Sequence, residues 1–206
     1  MTRTQDDRTT PDGATATPCG CGSSAEFGRR DVLATAAAAL AAAAVTPAWA
    51  QTPASPMPPQ PGDRFVHLSG PKAGQPVVPE DLVIGSPRLA YPADPESGEA
   101  RKARTNQVVL TRVDPAVLSV ETRSVSWNGV VAYSAICTHN GCPVTGMRND
   151  KTLLCPCHES EFDIADKGKV VHGPAERRLS NLPLQTTGDA IVVAGPFSGP
   201  IGAQRK

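Results

Sequence analysis

Short apolar runs broken by turn residues dominate the chain from about residue 65 onward. Gln107–Arg112, Val117–Val125 and Val130–Ser134 are rich in β-branched residues and predict strands. Asn128-Gly129 is a strong hairpin-turn dipeptide and predicts that the last two of these pair across it. Further strands are predicted at Thr152–Leu154, Lys169–Val171 and Ala190–Ala194, with turns at Asp166-Lys167-Gly168 and Thr187-Gly188-Asp189. Between Phe65 and Ala103 the runs Val77-Val78, Leu82-Val83-Ile84 and Leu89-Ala90-Tyr91 are interrupted by Pro and Gly. They predict irregular structure or edge strands wrapped on the core. Short strands at this spacing imply an all-β fold, an antiparallel sandwich or small barrel. There is no internal repeat and no sign of a second full domain.

The longest apolar stretch lies outside that pattern. Arg29-Arg30-Asp31-Val32-Leu33 opens an alanine-rich run to about Val45, followed by Pro47 and Ala48-Trp49-Ala50. A basic start, an apolar middle and a small-x-small site before Gln51 are the layout of a signal peptide. The adjacent arginines and weakly apolar core resemble the twin-arginine type, which exports folded proteins. A retained anchor and a helix of the fold are the competing readings. The run falls short of the roughly 18 apolar residues that mark a spanning helix. Residues 1–50 are therefore expected to be removed on export to the periplasm. Residues 51–63 (Thr52-Pro53-Ala54-Ser55-Pro56-Met57-Pro58-Pro59 and the residues around them) are expected to be an extended linker, and 64–206 the mature domain.

Composition narrows the picture further. Lys+Arg and Asp+Glu both number 20, so nothing favours a nucleic acid or an anionic membrane as partner. Gly (18) and Pro (21) make up nearly a fifth of the 206 residues, which suits a loop-rich β domain better than a helical bundle. Of six cysteines, Cys19 and Cys21 precede the arginines and would leave with the leader. In an exported domain the remaining four suggest two disulfides first.

Two histidines change that reading. The remaining cysteines fall in two short segments, Cys137-Thr138-His139-Asn140-Gly141-Cys142-Pro143 and Cys155-Pro156-Cys157-His158-Glu159-Ser160. Each holds a Cys–His pair at close spacing, C-x-H and C-x-x-H, plus one extra cysteine. Two thiolates and two imidazoles suit an asymmetric [2Fe–2S] cluster, where neutral imidazoles on one iron ease reduction. They also suit a structural zinc ion, although zinc leaves the extra cysteines without a role. Two plain disulfides leave both histidines without one.

The pattern C-T-H-x-G-C followed by C-P-C-H-x-S closely resembles the Rieske family, in its disulfide-containing branch, over about residues 130–175. That resemblance implies a Rieske-type antiparallel β sandwich or small barrel with a cluster-binding subdomain formed by two loops. It implies Cys137 and Cys155 as ligands of the inner iron and His139 and His158 as ligands of the outer iron. It also implies a Cys142–Cys157 disulfide. Ser160 and Phe162 stand where the family tunes the potential: a Ser hydroxyl donates to a bridging sulfide, and some members carry a donor Tyr at the second position. Hydrogen bonds to sulfur stabilise the reduced state, so Phe162 predicts a lower potential than in members with both donors. Gly173-Pro174-Ala175 resembles the family's proline loop, which would bring His172 near the tip without making it a ligand. His67 is expected to be an ordinary surface histidine.

Within the family, Leu89-Ala90-Tyr91-Pro92, Val131-Ala132-Tyr133-Ser134, Cys142-Pro143-Val144 and Glu161-Phe162-Asp163 resemble the small subunit of arsenite oxidase. The resemblance implies an electron-transfer subunit passing single electrons from a molybdopterin-containing large subunit to a soluble cytochrome c or copper protein, with no substrate site of its own. The alternative is the Rieske subunit of a cytochrome bc-type quinol oxidase complex. Gly173-Pro174-Ala175 favours the alternative; Asn140, Phe162 and the short leader do not.

Overall fold

A computed structural model describes residues 57–204. The expected leader, Cys19, Cys21 and residues 51–56 of the expected linker lie outside them. The described residues hold ten strands: β1 Arg64–His67, β2 Arg88–Ala93, β3 Val108–Arg112, β4 Val130–Ser134, β5 Gly146–Arg148, β6 Thr152–Cys155, β7 Ser160–Asp163, β8 Lys169–His172, β9 Leu184–Thr187 and β10 Ala190–Val193. One short helix, α1, spans Val120–Arg123. The strands form a six-stranded sheet in the order β4-β3-β2-β1-β10-β9 and a four-stranded sheet in the order β5-β6-β7-β8. Every ladder is antiparallel. The second sheet is thus an insertion between β4 and β9 of the first. The expected all-β antiparallel class holds.

β3 and β4 explain how the two sheets share one body. Their side chains alternate, as a pleat requires. Val108, Leu110, Val130 and Ala132 pack with Phe65, Ala90, Leu182, Ile191 and Val193. Val109, Val131 and Tyr133 pack on the opposite face with Leu153, Phe162 and Ile164 of the second sheet. Both faces are covered, so these strands read as unbroken apolar runs. The Tyr133 hydroxyl donates to the Ile164 carbonyl at 2.8 Å, satisfying a buried polar pair across the junction. Burial pushes the pKa of that phenol upward, making it a weaker acid.

Three expectations need correction. Val117–Val125 is not a strand. Asp114 accepts from the Ala116 N–H at 2.9 Å and Pro115 opens a single 3₁₀ turn. Ser119 then caps α1, accepting from the Thr122 N–H at 3.1 Å. Local side-chain caps outweigh the β-branched composition there. Asn128 (φ 44°) and Gly129 (φ 78°) do form a turn, but it leads into β4, whose partner is β3. A Cβ on Gly129 would lie 2.2 Å from the Val113 carbonyl oxygen. Secondly, β1 and β2 are interior strands and not edges; Pro92 is tolerated because the ladder with β3 covers Arg88–Ala90 only. Thirdly, the expected linker is tied down from Met57 on. The buried Asp63 binds Arg101 through two contacts of 2.6 and 2.9 Å, and Asn106 donates to the Met57 carbonyl at 2.9 Å. Among the described residues no helix is long and apolar enough to cross a membrane.

Candidate metal centre

Two loops at one end of the four-stranded sheet, with the last residue of β6, carry all the described cysteines. The first, residues 137–143, joins β4 to β5. The Cys137 N–H donates to the Cys142 carbonyl at 2.8 Å and the Gly141 N–H to the Cys137 carbonyl at 2.9 Å, closing it into a tight turn. The second, residues 156–159, joins β6 to β7, and its register sets Cys155 directly opposite Ser160. Glu159 takes a left-handed φ of 55° there.

A third segment, Gly173-Pro174-Ala175, lies over the second loop. A Cβ on Gly173 would stand 2.6 Å from the Ser160 Cα, and its φ of 83° also favours glycine. The Ala175 N–H donates to Ser160 Oγ at 3.2 Å, leaving the hydroxyl's own proton to be donated elsewhere. Thr138 Oγ1 donates to the Arg177 carbonyl at 2.5 Å, fastening the first loop to the same segment.

The geometry brings the expected site residues together in two layers. Cys137 and Cys155 are buried, each 1 % exposed, inside the apolar cluster shared by the two sheets. Outside them the rings of His139 and His158 meet edge-to-face, their centroids 4.7 Å apart. His158 and Cys157 are exposed. Ser160 and Phe162 are fully buried on the same face of β7, Ser160 opposite Cys155 and Phe162 opposite Leu153. Ser160 thus lies across the ladder from Cys155, and Phe162 packs in the apolar cluster that also holds Cys137 and Cys155.

The expected Cys142–Cys157 bond is not formed in the structure: all four sulfurs are free thiols. Forming the bond needs an oxidant from outside the chain. The sulfurs of Cys142, Cys155 and Cys157 nonetheless lie within 4.8 Å of one another. The Cys142 thiol is pushed up, first by its hydrogen bond with Cys157, and the charge of Arg104 opposes that shift. Burial pushes Cys155 up to about 11, with the neighbouring Cys137 adding to it.

The donor set fits the implied cluster on these observations. His139 Nδ1 is buried without a hydrogen-bond partner, an arrangement that is unfavourable unless something else binds that lone pair. The buried Cys155 thiol, its pKa raised, is likewise one that a nearby cation would stabilise as a thiolate. Among the described residues, the one trio of ligating atoms near enough for a single ion is Cys142, Cys155 and Cys157. The Cys137 side chain adjoins Cys155 of that trio, and the rings of His139 and His158 meet each other.

Two histidine expectations divide. His172 is exposed on β8. His67 is not a surface residue: it is 5 % exposed, with Nε2 bound to Asp81 Oδ2 at 2.9 Å. Arg104, Thr138 and Arg177, which support the loops, escaped the sequence reading. Only the position of Thr138 inside the first motif hinted at a role.

Comparison with known proteins identifies the family of the domain. The Rieske [2Fe–2S] domain family matches residues 93–183. A cytochrome bc1 complex Rieske iron–sulfur subunit of Streptomyces lividans is 33 % identical over 163 residues, covering 70 % of this chain and 93 % of that one. The Streptomyces coelicolor subunit is equally similar, but only 45 % of its length is covered. A putative respiratory nitrate reductase Rieske subunit of Haloferax mediterranei is 45 % identical over 75 residues, 36 % of this chain and 34 % of that one. Among solved structures, a plasma membrane Rieske protein of Synechocystis is 26 % identical with a TM-score of 0.35, covering 52 % of this chain and 86 % of that one.

Proposed function

Starting from the fact that the chain belongs to the Rieske iron–sulfur protein family, we propose that it is the exported electron-transfer subunit of a multi-subunit respiratory oxidoreductase. When bound, the [2Fe–2S] cluster supplies one-electron chemistry. The residues that would hold it are Cys137 and Cys155 within and His139 and His158 at the surface. The observation that carries this reading is their two-layer convergence, with buried sulfurs behind a pair of touching imidazoles. The chain's own part is to position these donors, exclude water from the sulfurs and leave His158 open to a partner. Cys142 and Cys157 form the loop-bridging disulfide once an oxidant in the exported compartment removes two electrons and two protons from them.

The relatives favour a cytochrome bc1-type complex as the assembly. The molybdopterin-partnered, arsenite-oxidase-like reading is supported by the motifs around Tyr91, Tyr133 and Phe162 and by likeness to a Rieske subunit of a different respiratory enzyme. In that case the acceptor would be a soluble cytochrome c or copper protein. Export by the twin-arginine route with cleavage before Gln51 belongs to the molybdopterin-partnered reading, whereas a leader retained as a membrane anchor would belong to the cytochrome bc1-type one.

Affinity purification of the tagged chain from its native host tests all of this. A Rieske electron paramagnetic resonance signal is expected, with a cytochrome b co-purifying for the first reading or a molybdopterin protein for the second. A protein with no such signal after native purification would overturn the electron-transfer reading.

A further inference from the structure

Arg104 belongs to none of the residues so far assigned, yet it touches the first loop from 37 positions away in sequence. It opens the 3₁₀ turn Arg104–Asn106 that leads into β3. Asn106, 3 % exposed, anchors that turn by donating to the carbonyls of Met57 and Arg101 at 2.9 and 3.2 Å. From this fixed base Arg104 Nη2 donates to the Gly141 carbonyl at 2.5 Å.

That carbonyl is not satisfied by the loop's own backbone. The Cys137 and Cys142 carbonyls accept from the loop's own N–H groups, while no backbone N–H among the described residues reaches Gly141 O. Gly141 is also left-handed, at φ 73°, so the turn depends on local support. The guanidinium is permanently charged and stands close enough to Cys142 for its field to be felt at that sulfur.

We propose that Arg104 is a positioning residue of the electron-transfer centre, closing the first loop at Gly141 and raising the cluster's reduction potential through its fixed positive charge. Reduction adds an electron, so a cation beside the loop favours the reduced state. The proposal rests on the reading that the site holds a [2Fe–2S] cluster. Arg104 is exposed, so its field passes partly through solvent and is screened by salt. The loop contact, in contrast, is short-ranged and insensitive to salt.

The test is a redox titration of native, cluster-loaded protein followed by electron paramagnetic resonance. It compares wild type, Arg104→Gln and Arg104→Lys at about 0.01 M and about 1 M ionic strength, where the Debye length is roughly 30 and 3 Å. In Arg104→Gln the reduction equilibrium should move about threefold toward the oxidised form at low salt, about 28 mV at 59 mV per tenfold. The shift should shrink at high salt, and Arg104→Lys should restore most of it. An unchanged potential in Arg104→Gln with full cluster content would overturn the proposal. So would a shift of equal size at both salt concentrations in both variants. Absence of a cluster signal in the wild type would instead overturn the function assigned to the site.

Discussion

In the six-stranded sheet, β3 and β4 are buried along almost their whole length, whereas in the four-stranded sheet β5 and β8 have no buried residue at all. The first region is held by apolar side chains on both faces of a sheet. The second is held by one apolar face, backbone ladders and a few cross-loop hydrogen bonds, from Thr138, Ala175 and Arg104. The contrast follows from the work each does. Cys137 and Cys155 are buried in the core, but the rest of the two loops, residues 139–143 and 156–159, is exposed or half-buried and adds little packing. Its order then depends on glycine turns, local polar contacts and the group itself.

Removing the donors tests the contrast most severely. Cys137→Ser, His139→Ala, Cys155→Ser and His158→Ala should each eliminate the cluster signal in electron paramagnetic resonance. Hydrogen exchange should still find β3 and β4 protected. A variant that keeps the full signal takes its residue out of the ligand set, and a variant with β3 unprotected would mean the two regions fold as one.

The converse change is Leu110→Ala, on the face of β3 turned away from the second sheet. It should cost about 2–5 kcal/mol, read from the urea midpoint. Cluster content per folded molecule should stay unchanged; its loss at this distance would erase the distinction. Gly173→Ala strikes the boundary of the loops. The left-handed φ alone costs about 1–2 kcal/mol for a residue with a Cβ, and that Cβ meets Ser160. The cluster should be lost faster on storage, measured as decay of its visible absorption, with β3 still protected.

A finer change alters the potential and leaves stability in place. Phe162→Tyr sets a hydroxyl in the buried cluster that contains Cys137 and Cys155. A sulfur-directed hydrogen bond of about 0.5–1.5 kcal/mol, favouring the reduced state, corresponds to roughly 20–65 mV. Ser160→Ala should move the potential the other way. Film voltammetry on both decides whether position 162 faces a sulfur; an unchanged potential with full cluster content says that it does not.

The smallest effect lies in the large region. Asp81 is held well below the usual carboxylate range, first by the hydrogen bond from Lys72 and then by His67 and the Val78 N–H, against the opposing effect of burial. A carboxylate with a lowered folded-state pKa contributes stability above its unfolded value, about 3.9, and loses it as pH falls toward the folded value. Asp81→Asn should therefore lower the urea midpoint at neutral pH and converge with wild type in acid. Equal midpoints at pH 7 would show that Asp81 adds nothing. The cluster signal should not change.

Much of the site was legible along the chain. Cysteines and histidines at fixed short spacing announce their chemistry without reference to the rest of the fold, because ligand sets are built from neighbours on one turn. β3, β4 and β6 were legible too, because burial on a pleat writes itself as β-branched runs. The strands β5, β7 and β9 were not: Gly146–Arg148, Ser160–Asp163 and Leu184–Thr187 carry too few apolar residues to signal a strand, and pairing with neighbours makes them one. The residues 117–125 looked like a strand because composition cannot weigh two side-chain caps against β propensity. Burial of His67 against Asp81, the fit of Gly173 over Ser160 and the reach of Arg104 to Gly141 were decided only in the tertiary structure. Each joins residues 13 to 37 positions apart, and no local pattern in a sequence records which distant atoms the sheets bring within hydrogen-bond reach.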